Sequence, residues 1–171
     1  MKILIKGIRS NNFTAKLIHL GEKLRSWKNK EPYQKCYNHW EISYTDNGIE
    51  YTSGSRSDGT TTIKWQDYLN KYNKHIEDIY EFELEISNSQ FNKLKQYLLQ
   101  VEGRKYEHFM FLWYTVKLVF GTWFGSRSDN KLYCVEHVVR GLNKIYNTKL
   151  DTTVWPNELF NILKYKIKNE Q

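Results

Sequence analysis

Cysteine is scarce in this chain. Cys36 and Cys134 are its two thiols, too few for a disulfide framework, so both are expected free and a reducing compartment fits. A long apolar run is also missing. The longest, Phe109 to Phe120, is broken by Lys117 and falls short of a membrane span. Met1 to Ile8 is too short for the apolar core of a leader peptide. A cytoplasmic protein is therefore expected, in the host cytoplasm if the gene is phage-borne. Zinc-ligand spacing is absent too, since two Cys and no suitably spaced His pair make no site. Neither a domain boundary nor a long repeat is visible, so residues 1–171 read as one domain.

What the chain has is aromatic and basic. Aromatics make up 16% of its 171 residues and hydrophobics 40%, enough for a real core with aromatic walls. The formal net charge is +7. That balance favours anionic ligands, although the lysines are scattered rather than clustered.

Hydrophobic periodicity sorts the elements. Lys2 to Ile8 reads as a strand, followed by a helix capped by Ser10 or Asn11. Phe13, Leu17, Leu20 and Leu24 recur at helical spacing and predict its buried face. A loop containing Pro32 precedes a hairpin: strand Tyr37 to Tyr44, turn Asp46-Asn47-Gly48, strand Ile49 to Ser53. Gly54 to Gly59 reads as a loop and Thr60 to Trp65 as a third strand. Tyr80 to Ile86 alternates with Glu81, Glu83 and Glu85, a half-buried strand with a solvated acidic face.

Ser87 or Asn88 opens a helix with Phe91, Leu94, Tyr97, Leu98 and Val101 buried, closed by Gly103. Glu107 to Phe120 predicts a central helix, and Gly121 to Asn130 a loop. Cys134 to Lys144 predicts another helix, and Pro156 starts a last one through Lys166. The stretch Gly54-Ser55-Arg56-Ser57-Asp58 recurs as Gly125-Ser126-Arg127-Ser128-Asp129. Turn chemistry explains such repeats; a functional reading has Arg56 and Arg127 gripping an anion in one groove.

Two residues point to chemistry. Cys134 opens a predicted helix, where the dipole and unpaired N–H groups favour a thiolate and an oxyanion. His39 starts a predicted strand in Asn38-His39-Trp40-Glu41-Ile42. A strand-borne imidazole against a helix-borne thiol is the arrangement of papain-like enzymes. Cys36, in a polar loop, is assigned a structural role or none.

These residues resemble a family. Tyr37-Asn38-His39-Trp40-Glu41-Ile42 with its turn resembles the His-bearing hairpin of the circularly permuted papain-like thiol hydrolases. That is the NlpC-type superfamily, in its lecithin:retinol acyltransferase-like branch. Thr52 to Gly59 resembles the next strand and glycine loop, and Gly103-Arg104-Lys105-Tyr106-Glu107 a junction between helices. Leu132-Tyr133-Cys134-Val135-Glu136 resembles the nucleophile motif, with Val135 where Ser is usual, and Val154 to Leu159 the last helix start. The permutation accounts for His39 preceding Cys134.

The resemblance implies an α+β fold, a small antiparallel sheet packed on helices. It implies a cysteine hydrolase with Cys134 as nucleophile and His39 as base, acting without a cofactor. The third catalytic group should lie on the strand after His39, which indicates Ser53 by position. Glu41 is the alternative, because it shares the His39 face. Substrates of that group include peptides, peptidoglycan fragments and acylated molecules. A non-catalytic alternative uses Arg56, Arg127, Trp123 and Tyr133 to hold nucleic acid or another anionic polymer.

Overall fold

The computed structural model describes residues 1–33, 35–107 and 130–165. The chain is α+β. One sheet has five antiparallel strands in the order β4-β3-β2-β1-β5. They are β1 (Lys2–Ser10), β2 (His39–Asp46), β3 (Ile49–Arg56), β4 (Gly59–Lys64) and β5 (Ile76–Glu85). The described helices are α1 (Phe13–Asn29), α2 (Trp65–Tyr72), α3 (Asn88–Val101), α4 (Cys134–Tyr146) and α5 (Pro156–Tyr165). A short parallel bridge, β6 (Lys105–Tyr106) with β7 (Lys131–Leu132), leads into α4.

The β2–β3 hairpin fixes the register of the sheet centre. Asn47 and Gly48 both have positive φ, 50° and 76°, and Asp46 pairs with Ile49 across them. That two-residue turn matches the twist of the strands it joins. From it follow the pairs Tyr44–Tyr51 and Ile42–Ser53. Side chains alternate along a strand, so the two faces separate by parity. Ile3, Ile5, Trp40, Ile42, Phe82 and Leu84 join one hydrophobic core with Phe91, Leu94 and Leu98 of α3 and Val138 and Leu142 of α4. Lys6, Glu41, Ser43 and Thr52 lie on the opposite face and are nevertheless buried. There Lys6 pairs with Glu50 at 2.7 Å and Glu81 at 2.8 Å, and its ammonium sits 3.7 Å from the Trp65 ring centre. Glu81 and Glu83 of the acidic row are thus neutralised by Lys6 and Lys2.

Several elements differ from their predicted form. Trp65 begins α2 instead of ending β4, and β5 starts at Ile76. Asn12, not Ser10 or Asn11, caps α1 by accepting from the Ala15 N–H at 2.8 Å. Ser87 caps α3 in a reciprocal box with Gln90. The predicted helix over Glu107 to Phe120 and the loop after it fall, beyond Glu107 and before Asn130, outside the described residues.

The largest departure is the orientation of α1. Phe13, Leu17, Leu20 and Leu24 face solvent, and the helix buries Ala15, Ile18, Glu22 and Ser26. A polar dock sets this rotation. Glu22 is fully buried and accepts from the Asn157 N–H at 3.0 Å, at the start of α5. Arg25 holds Glu22 at 3.0 Å and reaches Glu158 at 3.2 Å. Burial pushes the Glu22 pKa up, and the Asn157 N–H and the Arg25 guanidinium offset part of that cost.

Candidate active site

The site grows from the start of β2. His39 is its first residue and Glu41 follows on the same face, as strand parity requires. The His39 Nε2 lies 2.6 Å from Glu41 Oε1. Cys134 is a neighbour of this imidazole that favours its protonated form. The Cys134 thiol also points at the Asn38 carbonyl oxygen, at 3.9 Å. Cys134 is the first residue of α4, and Tyr133 before it is extended.

Neighbours hold that helix start in place. The Ser55 hydroxyl donates to the Leu132 carbonyl at 2.7 Å, and the Tyr133 hydroxyl donates to the Val154 carbonyl at 2.7 Å. The thiol is therefore fixed from the sheet on one side and from the approach to α5 on the other. Tyr133 is 1% exposed and acts inside this frame, not on a binding surface.

Glu41 is the most heavily bonded group in the site. It is fully buried, and its carboxylate accepts from Thr52 Oγ1 at 3.0 Å and from Arg56 Nε at 3.0 Å. Arg56 Nη2 closes the second arm of a bidentate pair on Oε2. The remaining Arg56 nitrogen donates to the Thr61 carbonyl at 3.0 Å and hydroxyl at 2.6 Å. The anion that Arg56 grips is thus internal. Tyr68 of α2 covers the assembly: its ring stacks on His39 at 6.4 Å and lies 5.2 Å from the Arg56 guanidinium.

The stretch Gly54-Ser55-Arg56 has a distinct duty at each position. Ser55 holds the turn before Cys134, and Arg56 holds Glu41. Gly54 makes room: a Cβ there would land on the Glu41 carboxylate. Gly54→Ala should therefore displace Glu41 and cost about 1–3 kcal/mol. Urea unfolding of the variant checks this, and wild-type stability would show that the carboxylate can move aside freely.

Ser53 does not reach His39. Parity places it on the core face, where its hydroxyl lies 3.3 Å from Nε2 of His137. His137 also meets the Tyr97 hydroxyl at 3.2 Å from Nδ1, forming a buried link between β3, α3 and α4. Burial pushes the His137 pKa down to about 4, so it is neutral. Thr52, one residue earlier, is the β3 hydroxyl that shares the Glu41 face. Trp123 and Arg127 lie outside the described residues.

Electrostatics separate the settings of Cys36 and of His39. Cys36 Sγ lies 3.3 Å from His19 Nδ1, while Asn38 Nδ2 is 3.2 Å from His19 Nε2. Burial pushes the Cys36 thiol up to about 12 and the His19 pKa down. Cys36 and His19 thus form a neutral pair. At His39, burial also favours the neutral ring, but the bonds to Cys134 and Glu41 and their charge outweigh it. Its pKa rises to about 9. Burial raises the Glu41 pKa, and Arg56, His39 and Thr52 overcome it, leaving about 2.

These shifts fix the sign of a pH effect. A folded-state pKa of about 9 against an ordinary 6.5 means His39 stabilises the fold fully below about 6.5, and the contribution fades as pH rises through 9. The Glu41 contribution is present above its ordinary 4.5 and is lost as pH falls through about 2. The stability gap between wild type and His39→Gln is thus expected to be widest near pH 6 and to close above pH 9. Urea melts at a series of pH values measure it; a gap that widens with pH contradicts the assignment.

A cavity of about 140 Å³ opens beside the site, lined by Asn38, His39, Ser55, Arg56, Tyr68 and Tyr106 among others. Cys134 is 1% exposed and sits one layer behind the His39 and Asn38 wall. Among the described residues no group of three or more His, Cys, Asp or Glu is placed to hold a metal ion. None of the described helices is long and apolar enough to cross a membrane. The constellation that remains is a thiol, a base in reach of it and a buried carboxylate orienting the base, the arrangement used for nucleophilic acyl transfer. No family model matches the chain, and no curated protein matches it.

Proposed function

We propose that the protein is a thiol hydrolase of the permuted papain-like kind, cleaving an amide or ester bond. The observation that carries this reading is the buried His39–Glu41–Arg56 chain, with the Cys134 thiol beside it at the start of α4 and against the Asn38 carbonyl. Glu41 is the third member in this reading. It fixes the imidazole orientation through Nε2 so that Nδ1 serves the thiol.

In the reaction, the Cys134 sulfur attacks the carbonyl carbon as its proton resides on His39. The tetrahedral oxyanion is held by backbone N–H groups of the first turn of α4. The intermediate collapses to a thioester, and the departing amine or alcohol takes the proton from His39. Water then adds to the thioester with His39 as base, releasing the acid and the thiol. Peptides, peptidoglycan fragments and acylated molecules all present such a carbonyl.

An activated ester tests the chemistry without knowledge of the natural substrate. Incubation with p-nitrophenyl acetate should give a stoichiometric burst of nitrophenol and an acetyl adduct on the intact protein. Peptide mapping should place it on Cys134, and Cys134→Ala should lack both signals. Acetylation confined to lysines, or a burst retained by Cys134→Ala, would remove the covalent mechanism.

A further inference from the structure

The face that α1 turns to solvent is built for a partner. Phe13, Leu17, Leu20, Leu24 and Trp27 are 75%, 45%, 55%, 36% and 82% exposed. Their intervals alternate four and three residues along the helix. At about 100° per residue they fall within an arc of about 80°. Exposed Lys16 and Lys23 run along one border of that arc and exposed Lys28 along the other. The one acid in the helix, Glu22, is fully buried on the opposite side. The helix is thus amphipathic in the wrong sense for a core element, with its apolar stripe outward and basic on both sides.

We infer that α1 docks on an anionic lipid bilayer. A second copy fits poorly, because pairing two such stripes would set lysines of one helix against lysines of the other with no acid between them. A helical protein partner is also disfavoured. Bulky Phe13 and Trp27 occupy the two ends of the seam, and five side chains bury far less than the ~800 Å² per side of a stable interface. A bilayer needs no shape match. Phe, Leu and Trp enter the boundary between headgroups and acyl chains, and the flanking lysines meet the anionic headgroups. The polar dock of Glu22 and Arg25 holds the helix on the domain in this orientation.

Co-sedimentation of the full chain with vesicles tests this. Phosphatidylcholine vesicles containing phosphatidylglycerol should pellet the protein, and pure phosphatidylcholine should pellet far less. Leu20→Glu and Trp27→Glu should each weaken the binding by at least about tenfold. Lys16→Gln with Lys23→Gln and Lys28→Gln should remove the preference for the anionic lipid and its salt sensitivity. Thermal melting of each variant separates a loss of binding from a loss of fold. Absence of vesicle binding overturns the inference. So does binding that survives Leu20→Glu and Trp27→Glu, which would place the contact elsewhere. A marked loss of melting temperature in Leu20→Glu would show the stripe covered by the chain itself. A dimer that Leu20→Glu splits, read by sedimentation velocity, would assign the stripe to a second copy.

Discussion

Arg56→Ala is expected to lower the stability of the protein by about 3–5 kcal/mol, the range found when one partner of a buried ion pair is removed. For a chain of this size that corresponds to a fall of about 6–20 °C in melting temperature. The reason lies with the residue left behind. Glu41 is fully buried and takes two of its bonds from the Arg56 guanidinium. Without them the carboxylate keeps Thr52 and His39 but loses the charge that holds its pKa near 2. Arg56→Lys should recover little, because one ammonium cannot bond both carboxylate oxygens and Thr61 together. Joint replacement, Arg56→Met with Glu41→Leu, should restore much of the stability, since neither buried charge remains unpaired. It should also drop the His39 pKa toward its ordinary value or below, as the Glu41 bond and charge that raise it are gone. Thermal and urea melts of the four proteins decide the point. Arg56→Ala within about 1 kcal/mol of wild type would mean that Glu41 is stabilised by something other than this pair.

Much of the sheet was legible from local signals. The Asp46-Asn47-Gly48 turn predicts a hairpin, and the hairpin sets β2 against β3. The start of α5 at Pro156 is equally local, since the proline preference acts within one turn. The misreadings share a cause. Periodicity shows that α1 has an apolar stripe but not what the stripe meets. The Glu22 contact that orients it comes from Asn157, far along the chain. Arg56 and Tyr133 read as ligand contacts because Arg and Tyr often are; their partners Glu41 and Val154 are brought to them only by the fold. Ser53 was one residue from the informative position. Once the hairpin register is known, Thr52 and Gly54 fall on the Glu41 face and Ser53 on the other. His137 gave no signal, because its bonds to Ser53 and Tyr97 are long-range and internal.

The second large effect concerns the reactivity of the two thiols. On the proposed mechanism Cys134 is alkylated by iodoacetamide faster than Cys36 between about pH 5 and 8, because His39 beside it can take up the thiol proton. Its place at the first turn of α4 works in the same direction. His39→Ala removes the base, and labelling of Cys134 should then slow markedly. Glu41→Gln should give an intermediate rate, since the imidazole stays but loses the carboxylate that orients and charges it. Cys36 supplies an internal control. Burial drives its pKa up to about 12, and its imidazole neighbour His19 is pushed toward the neutral form. It should stay unlabelled in the folded protein over the whole range. Cys134→Ala should therefore abolish fast labelling altogether, and should lower turnover of any cognate substrate by roughly 10⁴-fold or more. His39→Ala should come close to the same loss, because thiol and base act as one unit and their effects do not add. Mass spectrometry of alkylated peptides reads both cysteines in one experiment. A Cys134 rate that His39→Ala leaves unchanged would show a thiol that the imidazole does not activate. The contact with His39 would then be a structural one, and the acyl-transfer mechanism would have no nucleophile.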